Sequence, residues 1–250
     1  MTQHIQGTGT GEHSKSTNKS AQSLKGYVLA IAAACGWSTG GLISNLLMTK
    51  PSAATSDWLI KPFGAVINPT VLSGARAFIA TIILGIFLAF FKRKSFKLKN
   101  PASDLLFLVP FGALALAGMH FTYFKAISTS NVTTAILLEY LAPVLTLFYG
   151  VCVLKHKVSW RMPLGVALSI LGCAVVVGAF SPGGLLISHA GLIWGLIAAF
   201  FFALYSTMGG RGGVRFSPFT LLFYGLLFAA VMWLIVLGPH TVISAFSQPK

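Results

Sequence analysis

Seven apolar runs, each close to twenty residues, take up most of the chain beyond residue 26. They cover residues 27–48, 71–91, 105–124, 132–154, 163–180, 191–208 and 218–237. A hydrocarbon core of about 30 Å takes roughly 20 helical residues to cross, at about 1.5 Å per residue. Backbone amides in lipid must find partners within their own segment unless strands close into a barrel. Barrel strands alternate polar and apolar side chains, and these runs do not. The fold class that follows is all-α, a polytopic transmembrane helical bundle. Composition agrees: 55% of the 250 residues are hydrophobic and 9% are charged, whereas a water-soluble domain carries about a quarter charged residues.

A net charge of +14 is also what a nucleic-acid binder carries, but the placement of the charge points elsewhere. Thirteen of the eighteen Lys and Arg fall before the first run or after the second, fourth and sixth. Lys50, Lys61, Lys125 and Lys250 fall on the opposite side, and Arg76 lies within a run. Basic loops mark the cytoplasmic face, so the N-terminus is expected in the cytoplasm and the C-terminus of this chain outside, in a plasma membrane. No aromatic–basic interleaving offers a stacking surface for bases, so no nucleic-acid partner is expected. The loop at 91–100, with Lys92, Arg93, Lys94, Lys97 and Lys99, reads as an anchor drawn to anionic membrane lipids.

Residues 1–25 are rich in Ser, Thr, Gln, Gly and Lys and read as a disordered cytoplasmic tail, with too little apolar surface to bury. They lack the apolar core and small-residue cleavage site of a secretory leader. The outer loop at 49–70, with Trp58, Phe63 and several prolines, suits the membrane interface. Cys35, Cys152 and Cys173 each fall in an apolar run at spacings that match no metal motif, and read as small packing residues.

The first and sixth runs share a short pattern. Trp37-Ser38-Thr39-Gly40-Gly41 parallels Tyr205-Ser206-Thr207-Met208-Gly209-Gly210, and Asn68-Pro69-Thr70-Val71-Leu72 parallels Ser217-Pro218-Phe219-Thr220-Leu221. Five runs separate the copies, so they cross the membrane in opposite senses. Inverted-topology repeats of this kind recur in secondary transporters.

The segments Phe121-Thr-Tyr-Phe-Lys-Ala-Ile-Ser-Thr-Ser-Asn131 and Ala135-Ile-Leu-Leu-Glu-Tyr-Leu-Ala-Pro143, then 164–178 with Gly172, resemble the EamA family of the drug/metabolite transporter superfamily. Gly36-Trp37 and Arg76 stand where family members often carry a Trp and an Arg. The resemblance implies ten helices in two inverted five-helix repeats around a central substrate site. Here 26–180 corresponds to the first repeat and 189–250 to two helices of an incomplete second one. The chain is therefore expected to be truncated after the seventh of ten helices, or else a short form that completes its core as a homo-oligomer. Where the family often has Gly-Glu after the fourth run, this chain has Lys155-His156-Lys157.

Charges at bilayer depth are costly and usually functional. Arg76, His120 and Glu139 are placed about 6–10 Å from the outer ends of their runs and can share one cavity. Glu139 is the candidate for binding a proton or a cationic group of substrate, with Arg76 as partner or anion anchor. A static Arg76–Glu139 pair that locks two helices is the competing reading. His120 has the alternative of contact with headgroups or water. Trp37 lies mid-run, away from the interfacial belts, and is a further candidate. Tyr140 either lines the same cavity or faces lipid. Pro143 interrupts the fourth helix.

The four acidic residues are Glu12, Asp57, Asp104 and Glu139. No nucleophile elbow, zincin motif or P-loop accompanies them, so neither enzyme chemistry nor a cofactor is expected. A seven-helix receptor is opposed by the N-inside orientation. The expectation is a secondary transporter of a small metabolite or drug-like molecule, an exporter by resemblance, with the proton as candidate coupling ion. The alternative is a non-transporting fragment or a helix-packing subunit of another transporter.

Overall fold

A computed structural model describes residues 10–48, 67–155, 159–176, 178, 180–182 and 188–247. Seven helices occur among them: α1 (Thr10–Met48), α2 (Pro69–Phe91), α3 (Pro101–Thr129), α4 (Val132–Cys152), α5 (Arg161–Val176), α6 (His189–Arg215) and α7 (Pro218–Ser247). Six of them are long and apolar enough to cross a membrane, and α5 is a shorter apolar helix. Each coincides with one of the seven apolar runs. The chain is a polytopic helical bundle. Most of the outer loop at 49–70, with Trp58 and Phe63, lies outside the described residues, as do residues 1–9, His156 and Lys157.

Two compact units are present, Met1–Ile43 and Ser44–Lys250. The first holds most of α1, which begins at Thr10, so helix runs through part of the stretch expected as an unstructured tail. Between Thr10 and Gly26 there is no Pro, and adding a residue to an existing helix costs far less than nucleating one.

In the second unit α3 is central. It packs on α6 and α7, α2 packs on α7 and α3, α4 packs on α6, and α5 touches α4. Ser73, Gly74 and Ala77 of α2 face inward, while Ile79, Ile82, Ile83, Ile86 and Phe90 are more than half exposed. Small residues inside and large apolar ones outside are the arrangement of a helix bundle solvated by lipid, where close backbone approach replaces the hydrophobic effect.

Helix ends carry their own signals. Asn68, Asn131 and Ser188 cap α2, α4 and α6 through side-chain oxygens, satisfying amides that have no partner in the first turn. Pro101 and Pro218 sit in the first turns of α3 and α7, where their missing N–H is harmless. Pro110 lies inside α3 and is followed by a π-helical stretch, Phe111–Leu116. Pro143 has no N–H for the carbonyl four residues back, that of Glu139, and α4 breaks at Tyr140 and Leu141. Gly238, at φ 69°, bends α7 where an L-residue would be strained.

The basic turns gather at one end. Thr220 Oγ1 donates to the Ser95 carbonyl at 3.0 Å, and Tyr224 Oη to that of Phe96 at 2.9 Å. Arg215 joins Ser103 and Asp104, and Arg211 joins Tyr149. At the other end Ser188 Oγ donates to the Thr129 carbonyl at 2.7 Å. The alternation of crossings inferred from charge thus appears in the packing of the second unit.

Candidate functional site

Arg76, His120 and Glu139 lie seven, nine and seven residues from the ends of their helices at Pro69, Thr129 and Val132. At about 1.5 Å per residue this is roughly 10–14 Å deep, a common level within the bundle. Helix α3 continues five residues beyond its apolar run, so His120 is deeper than its sequence position suggests. It is 6% exposed, which overturns the reading of a headgroup contact: it faces the interior, on the side of α3 that carries Tyr123, Phe124 and Ile127, at spacings of three, four and seven.

Glu139 is 1% exposed, and neither carboxyl oxygen has a hydrogen-bond partner among the described residues. The same holds for His120 Nδ1 and Trp233 Nε1. Arg76 lies within electrostatic reach of Glu139, His120 and Tyr123. No ion pair joins it to Glu139 among the described residues. Its guanidinium carbon stands 5.6 Å from the centre of the Phe124 ring. Arg76 is itself exposed, between the buried Gly74 and Ala77 on α2.

Tyr140 is 56% exposed, beside a buried Glu139. Successive residues on a helix point about 100° apart, so Tyr140 takes the outer side of the α4 break. Trp37 lies on α1, in the N-terminal unit.

Aromatic residues pack against one another on α3, α6 and α7. Phe121 stands edge-on to Trp194 at 5.8 Å and tilted to Trp233 at 5.6 Å. Lys125 Nζ lies 6.0 Å from the Trp194 ring. Trp233 is 5% exposed; it stands four residues before the end of its apolar run, where sequence does not separate an interfacial Trp from a buried one. A second miss is Asp104, 2% exposed and paired with Arg215. It stands just inside the helix start set by Pro101, where a carboxylate favours the helix dipole.

A membrane-length helical bundle that buries Glu139 and His120 at the depth of an Arg has the build of a polytopic membrane protein with polar groups inside its spans. The family comparison narrows the class: residues 24–178 match the model of the EamA-like transporter family. The chain belongs to that family. It is 24% identical over 210 residues to an uncharacterized inner membrane transporter, YicL, of Salmonella typhimurium, covering 84% of this chain and 65% of the relative. It is 30% identical over 126 residues to the uncharacterized transporter YxxF of Bacillus subtilis, covering 50% and 39%. It is 23% identical over 210 residues to an S-adenosylmethionine uptake transporter of Rickettsia bellii, covering 84% and 65%. The chain thus spans just under two thirds of the length of the first and third of these relatives. No solved structure matches it.

Proposed function

We propose that the chain serves secondary transport of a small zwitterionic metabolite through a site built on Arg76, His120 and Glu139. The observation that carries this reading is the Glu139 carboxyl group, 1% exposed with both oxygens unpartnered. An isolated carboxylate in an apolar interior costs several kcal/mol. A bound cation or proton removes that cost, and a group held ready for either suits transport better than a helix lock does. A lock would be satisfied by direct pairing with Arg76, and no such pair forms among the described residues.

The two charges divide a zwitterion between them. Arg76 offers a planar fork of donors for a carboxylate. Glu139 takes the cationic group, and the rings of Phe121, Trp194 and Trp233 supply faces that attract a cation. The Rickettsia relatives carry the name of a substrate with that charge pattern, a carboxylate alongside ammonium and sulfonium groups. Coupling follows if a proton replaces the substrate cation on Glu139 during the return step, and α4, broken just after this residue at Tyr140 and Leu141, gives it room to move. We read α6 and α7 as the opening of a second, inverted copy of the first repeat. The basic end is placed in the cytoplasm of a plasma membrane by the positive-inside rule. The resemblance implies export, the Rickettsia relatives are named for uptake, and the site has no built-in direction, so the assay is run both ways.

The test uses the full chain in proteoliposomes, with labelled S-adenosylmethionine and simple amino acids, under proton gradients of either sign. Glu139→Gln and Arg76→Gln are expected to insert normally and to abolish accumulation, with Glu139→Gln also removing the response to the gradient. Full-rate transport by both variants would refute the site.

A further inference from the structure

We propose that the lysine-rich end of the bundle holds a preformed site for a phosphate group, carried by an anionic phospholipid or a soluble phosphate monoester. A cavity of about 320 Å³ opens there between the 92–100 segment and the start of α7, and Lys94, Lys97, Lys99 and Arg215 line it. That volume is at the small end of the range for ligand pockets, about 300–1,000 Å³. The sole carboxylate in its wall is Asp104. Both Asp104 oxygens are engaged: Oδ1 accepts from Arg215, and Oδ2 accepts from the Asn100 amide at 3.0 Å. The three lysines have no ion-pair partner among the described residues. A positive field thus fills a concave space whose one carboxylate offsets Arg215 and leaves the three lysines without a counter-charge among the described residues.

A loop that only marks the cytoplasmic face needs charge but neither shape nor fixation. This loop has both. Arg93–Phe96 is a 3-10 turn whose Ser95 is buried. Thr220 and Tyr224 of α7 hold the Ser95 and Phe96 carbonyls, and Phe96 stands edge-on to Phe223 at 5.0 Å. The backbone carrying the lysines is therefore fixed before any ligand arrives, which lowers the ordering cost of binding. The cavity also meets the first turns of α3 and α7, at Asn100 and Ser217, whose dipoles add to the attraction for an anion. Lysine ammonium groups act as point charges on phosphate. Basic pockets between membrane helices bind phospholipid headgroups by this chemistry.

Charge and shape are separable because the same loop carries two cations outside the cavity. Arg93 Nε donates to the Ala89 carbonyl at 2.7 Å, and Lys92 Nζ lies 5.7 Å from the Phe219 ring. The full chain in neutral detergent is titrated, with native mass spectrometry as readout, against phosphatidylglycerol, phosphatidylcholine and glycerol 3-phosphate. Lys97→Gln/Lys99→Gln is compared with the charge-matched Lys92→Gln/Arg93→Gln. At about 1 kcal/mol per cation, the first pair should weaken phosphate binding about thirtyfold, and the second should leave it within about twofold. Retention of phosphatidylglycerol alone identifies the lipid source, and binding of glycerol 3-phosphate identifies the soluble one. Equal losses in the two double variants would mean a diffuse field and overturn the proposal. So would the absence of any preference for the two anionic probes over phosphatidylcholine, whose phosphate is neutralised by its own choline. Lys94→Gln against Lys92→Gln repeats the comparison with single changes, should a double variant fail to fold.

Discussion

Gly112→Ala tests the packing that centres the bundle on α3. Gly112 sits in the π-helical stretch and faces α7. A Cβ there would lie 2.5 Å from the Gly225 carbonyl oxygen, 2.7 Å from Phe228 Cβ and 3.2 Å from the Gly225 carbonyl carbon. Contacts of this type relax at about 3.5 Å, so one helix must retreat by about 1 Å. None of the three atoms can move by side-chain rotation. The loss should therefore reach the upper part of the overpacking range, about 2–3 kcal/mol. In a chain of this size that lowers the unfolding midpoint by roughly 4–12 °C. Gly210→Ala is the control, because nothing lies within 4 Å of its added Cβ and helix propensity favours Ala by about 0.5–1 kcal/mol. Thermal unfolding in one neutral detergent, followed by intrinsic fluorescence, compares the two. A Gly112→Ala protein as stable as the parent, or a Gly210→Ala protein equally weakened, would refute close backbone contact between α3 and α7.

Two further changes address the ends and the break. Asp104→Asn removes the charge partner of Arg215 and weakens the bond to the Asn100 amide; unfolding should come at about 1–3 kcal/mol less, and Arg215→Gln added to it should cost little more in a double-mutant cycle. Pro143→Ala returns the missing amide to the Glu139 carbonyl, so α4 should straighten and gain stability while transport falls, as exchange of the new amide and proteoliposome flux would show; unchanged flux would separate the break from function.

The spans were legible because a bilayer fixes helix length. Seven runs of apolar residues could be placed with no tertiary information, and each is occupied by a helix. The grouping of basic turns at one end of the second unit was legible for a similar reason, since Lys and Arg collect in the loops that follow alternate runs. Depth was read less well. His120 stands four residues from the end of its apolar run, but α3 continues through Lys125 to Thr129, with Thr122 and Thr129 bonded back to its own carbonyls. Hydropathy ended where the helix did not. Asp104 stands one residue before its apolar run, and a helix start at Pro101 places it inside the bundle.

The least legible part was which polar groups lack partners, because that depends on helices meeting across the bundle. A window around Glu139 reads the same whether Arg76 grips its carboxylate or stands off over Phe124. Sequence does show Pro143 four residues after Glu139, and this spacing ties the two together physically. The residue with the unpartnered carboxyl also has the backbone carbonyl that proline leaves without its amide. One short break in α4 thus places an unpartnered carboxyl group, and a carbonyl without its usual helical amide, at the depth of Arg76 and His120. A protein selected for stability alone would remove such a concentration with a single substitution, Pro143→Ala or Glu139→Leu. Its presence near a guanidinium 5.6 Å from an aromatic ring is what the proposed site requires, with a ligand satisfying those groups for part of a cycle.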